Sequence, residues 1–118
     1  MCLKAGTKWS TVGSTAPATA NLAAVSAISG SDAWAAGQYC VSNCSSPAGV
    51  IDTLIMHWNG TKWSKVSSPS PSSTGRNLLF AVTAPTATSA WAVGGYPSSS
   101  NVQTALILHW NGTKWSKA

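Results

Sequence analysis

Charge is what this chain has least of. Only 8% of its 118 residues are charged, Glu does not occur, and Asp32 and Asp52 supply the only side-chain carboxylates. Acid–base chemistry therefore has almost nothing to work with, and no set of nucleophile, base and orienting group can be assembled. The expectation is a protein that is not an enzyme and uses no cofactor. Seven Lys and Arg residues give a net charge of +5, a field that attracts anionic surfaces without regard to sequence. Those cations are spread thinly along the chain, so the signal is weak and a nucleic-acid partner is not the expectation. No apolar run approaches the ~20 residues of a membrane-spanning helix, so no membrane partner is expected. The opening residues, Met1 to Gly6, lack the apolar centre of a signal peptide. The wealth of Ser, Thr, Ala and Gly has the texture of exported bacterial β-proteins, and a secreted or extracellular location is the expectation.

Cysteine is also scarce: Cys2 near the start, then Cys40 and Cys44 within one loop. The Cys-x3-Cys spacing in Gln38 to Pro47 suits a small loop-stapling disulfide in an oxidising compartment. A metal site would need two further soft or imidazole ligands nearby, and the two histidines, His57 and His109, lie elsewhere. No metal is expected. Cys2 has no evident partner within the chain and reads as a free thiol or a link to another chain.

What the chain does contain is repetition. The stretch His57-Trp58-Asn59-Gly60-Thr61-Lys62-Trp63-Ser64-Lys65 returns unchanged as His109 to Lys117, and part of it opens the chain as Gly6 to Ser10. Asn-Gly between strand-favouring runs is the strongest short hairpin signal, because both residues tolerate the positive φ of a two-residue type I′ turn. Asn59-Gly60 and Asn111-Gly112 are read as such turns. Pairing Trp58 with Thr61 across the turn then puts Lys62 opposite His57 and Trp63 opposite Met56, so that Met56, Trp58 and Trp63 share one aromatic-rich face. The recurrence of both histidines at one repeat position points to a building role rather than catalysis.

Taken in order, residues 1–20 hold an extra strand over 7–12 and a linker. Residues 21–66 alternate as four strands, at 21–28, 32–39, 53–58 and 61–66. Residues 67–76 are Ser- and Pro-rich linker. Residues 77–118 then repeat the four-strand pattern, with strands at 77–85, 89–96, 103–110 and 113–117. Trp34 and Trp91 stand 57 residues apart, as do Tyr39 and Tyr96, whereas Trp63 and Trp115 stand 52 apart. The loop after the second strand absorbs the difference. A period near 50 with four short strands per unit is the signature of a β-propeller blade.

Trp34-Ala35-Ala36-Gly37, Trp91-Ala92-Val93-Gly94 and the two His-Trp-Asn-Gly-Thr-Lys-Trp-Ser hairpins resemble the tryptophan-rich propeller repeats of secreted bacterial proteins. The resemblance extends over nearly the whole chain from Thr7. It implies an all-β fold of two four-stranded antiparallel blades; it implies no particular activity, because propellers host lectins, enzymes and scaffolds alike.

Both faces of such blades are apolar: Leu54, Met56 and Trp58 alternate with Ile55 and His57, and Leu106, Leu108 and Trp110 with Ile107 and His109. Two blades alone would leave broad apolar faces in water, since each Trp buries ~150 to 250 Å². The expected partner is the chain itself, in a head-to-tail ring of three or four copies, with strand 7–12 able to complete a neighbour's last blade. Which outer strand, 7–12 or 113–117, would do so is open. The structural residues of this reading are Trp34, Trp58, Trp63, Trp91, Trp110 and Trp115, with Asn59, Gly60, Asn111 and Gly112 in the turns. The loops after the second strands carry Tyr39, Tyr96 and Asn101, whose rings and amides suit a glycan ligand, made multivalent by the ring. The alternative is a purely structural, recently amplified or engineered repeat unit whose role is ring or array assembly, with weak binding to nucleic acid or anionic surfaces as a remote third.

Overall fold

The computed structural model describes residues 9–118. It contains nine strands and no helix among the described residues: β1 (Gly13–Ser14), β2 (Asn21–Ser29), β3 (Asp32–Ser42), β4 (Val50–Trp58), β5 (Lys62–Val66), β6 (Leu78–Thr86), β7 (Ser89–Pro97), β8 (Gln103–Trp110) and β9 (Trp115–Lys117). They form one five-stranded sheet in the order β1-β5-β4-β3-β2 and one four-stranded sheet in the order β6-β7-β8-β9. β2–β5 and β6–β9 are each an antiparallel meander, as alternating short runs bounded by turn residues require, and neither sheet closes on itself. The fold is all-β, as the sequence implies, with strands that run a little longer than expected at β3, β4 and β7 and begin later at β9.

The two meanders share their irregularities. A register slip falls between Leu22 and Ala24 on β2 and between Leu79 and Ala81 on β6. A β-bulge of this kind adds a residue and deepens the local twist. On the neighbouring strands Gly37 and Gly94 face the backbone just before each bulge. A Cβ on Gly37 would strike the carbonyl oxygen of Asn21, and one on Gly94 that of Leu78. Glycine at these two positions is set by a close backbone approach.

The repeated hairpins differ from the expected two-residue turn. Trp58 pairs with Trp63 and Trp110 with Trp115, so four residues make each loop. Within the two hairpin loops positive φ falls on Gly60 and Gly112, both at 96°, and not on Asn59 or Asn111. The asparagine works through its side chain instead. Asn59 Oδ1 accepts hydrogen bonds from the N–H groups of Thr61 and Lys62 at 2.9 and 3.0 Å, and Asn111 Oδ1 does the same for Thr113 and Lys114. This Asx-type capping holds the wider loop. The register moves by two residues, which conserves side-chain parity, so Met56, Trp58 and Trp63 still share a face.

The opening strand also departs from expectation. Thr7 and Lys8 lie outside the described residues, as does Cys2, and residues 9–12 form no strand. Gly13 and Ser14 pair instead in parallel with Lys62 and Trp63 at the free edge of β5. Thr15 extends this contact, donating its N–H to Trp63 O and accepting at Oγ1 from Lys65 N. An unpaired edge is a template for any nearby extended chain.

The sheets stack face to face, with β6 lying against β2 and β3. The shared core takes Trp34, Ala36 and Ile55 from the first sheet and Leu79, Ala84, Ala90, Ala92, Leu106, Leu108 and Trp115 from the second. Residues 67–77 cross between the sheets and are clamped there. Ser70 Oγ accepts from Thr53 N–H at 2.9 Å, and Thr53 Oγ1 donates to the carbonyl of Pro69. Fully buried Asn77 bonds Ile51 O and both backbone groups of Ser72 through its side chain. Every polar atom of that amide is therefore satisfied, as burial demands.

Candidate interaction faces

Each sheet has two faces, set by the two-residue period of the strands. One carries Trp34, Ala36, Ile55 and His57 in the first sheet, and Trp91, Val93, Ile107 and His109 at the corresponding positions of the second. The other carries Leu22, Val25, Ala35, Met56 and Trp63 in the first sheet, and Leu79, Val82, Ala92, Leu108 and Trp115 in the second. The internal contact joins unlike faces: the Trp34 face of the first sheet meets the Leu108 face of the second. Trp34 anchors it, its ring 4.9 Å from that of Trp110 and 5.2 Å, edge-on, from that of Trp115. These spacings lie within the favourable range for tilted and T-shaped aromatic pairs.

One copy of each face is left over. Trp91 and Ile107 are 39% and 43% exposed, although their counterparts Trp34 and Ile55 are 3% and 0% exposed. On the opposite end of the stack Leu22 and Val25 are 47% and 55% exposed, whereas Leu79 is fully buried and Val82 packs on the core. Leu22 and Val25 border an open groove of about 430 Å³ floored by Ala35, Met56 and Trp63. Ala16 and Ala20, from the segment leading into β2, cover a part of this face beside Tyr39 and Trp63. Thr19 ties that segment to the sheet by accepting from Cys40 N–H at 3.0 Å.

The histidines sit at the same place in both sheets and are held differently. His57 stacks on Trp34 at 4.5 Å and pairs through Nε2 with Asp32 Oδ1 at 2.7 Å. His109 stacks on Trp91 at 4.2 Å, and Ser89 Oγ is its neighbour at 3.2 Å. Asp32, the first residue of β3, is thus an imidazole partner. Its pairing with His57 lies diagonally across the β3–β4 ladder and becomes visible only once the register Trp34↔His57 is known. Trp58 and Trp110 each donate Nε1–H to a carbonyl of the preceding turn, Gly30 O and Ala87 O.

Tyr39 and Tyr96 are not brought onto one surface. Tyr39 packs with the Met56 face, Tyr96 with the core between the sheets. Lysines cover their rings, Lys65 Nζ lying 4.5 Å above that of Tyr39 and Lys117 Nζ 5.3 Å above that of Tyr96. These are cation–π contacts, and the repeated Trp-Ser-Lys could have signalled them. Asn101 occupies a left-handed position, φ 59°, in the turn after β7. Cys40 and Cys44 are joined by a disulfide, their Cα atoms 5.9 Å apart, within the usual range for such bonds. Arg76 braces the same loop by donating to Ser46 O. Among the described residues no three His, Cys, Asp or Glu side chains gather into a metal site.

Fold and faces together define an all-β protein of two stacked sheets, each built on an antiparallel meander, with exposed apolar residues on the outer face at each end. No family model, curated protein or solved structure matches the chain.

Proposed function

We propose that this chain is a non-catalytic building block: two blades of a β-propeller, which several copies complete by joining head to tail. One observation carries the reading. The internal interface uses one face of each sheet, and the two faces left exposed are the repeat counterparts of the two it buries. An end that exposes Trp91, Val93 and Ile107 and an end that exposes Leu22 and Val25 are therefore complementary in kind. Contacts between unlike surfaces propagate, and they stop only when a ring closes. Propellers of ~4 to 8 blades are usual, which corresponds to rings of two to four copies, with three or four preferred. The Trp-rich repeats and the Cys40–Cys44 disulfide support an exported protein of the propeller class.

Glycan binding at Tyr39, Tyr96 and Asn101 has weaker support, because lysines and core residues occupy the ring faces on which a sugar would stack. Assembly is the function to test first. Size-exclusion chromatography with light scattering should give a discrete mass of three or four times the 12.1 kDa chain. A well-folded species at 12.1 kDa across micromolar concentrations would end the proposal.

A further inference from the structure

We infer that the junction between copies is a copy of the internal interface, in which Trp91 of one chain seats against Trp58 and Trp63 of the next. The inference rests on the assembly reading above and adds to it the partner surface and its register. Inside the chain, Trp34 lies against Trp110 and Trp115, with Ile55 and Ala36 beside it facing Leu79, Leu106 and Leu108. Moving each residue to its counterpart in the other sheet sends Trp34 to Trp91, Ile55 to Ile107 and Ala36 to Val93. On the receiving side Trp110 goes to Trp58, Trp115 to Trp63, Leu79 to Leu22, Leu106 to Leu54 and Leu108 to Met56.

The aromatic parts of the transferred contact are formed on both sides, while Leu54 and Met56 are already fully buried with Ala16 and Ala20 of their own chain packed on them. Trp58 and Trp63 stand 5.8 Å apart at 41°, close to the 6.0 Å and 43° of Trp110 and Trp115. Trp91 stacks on His109 much as Trp34 stacks on His57. The receiving groove of about 430 Å³ opens beside Trp63, where an incoming indole would lie. Val93 is bulkier than Ala36, and Ala16 and Ala20 pack on fully buried Met56 where the internal interface has Leu108, so Val93 meets that small-residue segment. Hydroxyls recur as well. Ser26 Oγ accepts from Ala84 N–H at 3.0 Å across the internal interface, and Thr83 supplies the hydroxyl at the matching position of the free face.

The experiment is a mixing test with two variants at exposed positions, so that neither disturbs a packed core. Trp91→Asp disables the donating face and Val25→Asp the receiving face. Each variant alone should run at 12.1 kDa by light scattering. Mixed in equal amounts they retain one working junction, Trp91 of the Val25→Asp chain on Trp63 of the Trp91→Asp chain. The expected product is a 1:1 heterodimer of twice 12.1 kDa and nothing larger. Its appearance also shows that both variants are folded. If either variant dimerises alone, the junction joins like faces and the inference is overturned, as it is if the mixture stays monomeric while the wild type assembles. A monomeric wild type is a separate result: it removes the assembly reading itself.

Discussion

At the scale of single residues, the chain repeats its constraints along with its letters. Gly37 and Gly94 are each pressed against the strand that carries a bulge, and no side chain fits there without moving backbone. Gly13 is different: a Cβ there would meet only the Cβ of Lys62 at an ordinary 3.8 Å. Gly37→Ala should therefore destabilise by about 1–3 kcal/mol through overpacking, whereas Gly13→Ala should cost less than about 0.5 kcal/mol. Thermal unfolding at one fixed protein concentration reads the difference, and equal melting temperatures for the two variants would contradict it. The recurrence of Trp-Ala-Ala-Gly and Trp-Ala-Val-Gly was legible in the sequence, but the reason for the glycine was not. It depends on a bulge in the preceding strand, whose place only the pairing register reveals. The same holds for the lysine–tyrosine contacts, which need Tyr39 and Lys65 on one face two strands apart.

Elements were legible because strand alternation survives local errors. The hairpin loops contain four residues rather than two, yet a slip of two leaves every side chain on its expected face. What composition did not reveal was that Asn59 and Asn111 cap N–H groups instead of entering the left-handed region. The parallel pair of Gly13–Ser14 with β5 was equally silent, since a two-residue contact carries no hydrophobic pattern. The cysteine loop is the element with the clearest test. The disulfide closes a sequence separation of only four residues, so the entropy it removes from the unfolded chain is small, about 2 kcal/mol. Replacing both Cys40 and Cys44 by Ser should lower the denaturation free energy by no more than about that amount and leave the assembled mass unchanged. Dissociation of the oligomer on replacement would place the loop within the junction rather than beside it.

At the scale of the whole molecule, the sequence announces that every face is apolar but not which faces meet. That pairing follows from the stack, in which the Trp34 face of one sheet covers the Leu108 face of the other and a matching pair is left unfilled. The radius of gyration, 14.8 Å, exceeds the ~13.5 Å of a compact domain of this length, as suits two sheets stacked but not wrapped. The internal connection between sheets shows how copies could be joined covalently. Val66 leads into the linker at Ser67; by the repeat, Ala118 corresponds to Val66 and Gly13 to Ser67. Tandem genes that run Ala118 of one copy directly into Gly13 of the next, omitting residues 1–12 at each internal joint, should therefore yield single chains whose sheets stack in series. A chain with the natural number of copies closes on itself and remains monomeric at all concentrations. Shorter chains keep one free face at each end and associate further, and longer ones carry surplus sheets that bridge rings. Light scattering on fusions of two, three and four copies should find one that is monodisperse at its own chain mass, and the copy number of that chain gives the blade count. If all the fusions behave as isolated monomers, the exposed faces do not attract one another; if all of them polymerise, the junction angle winds into an open filament.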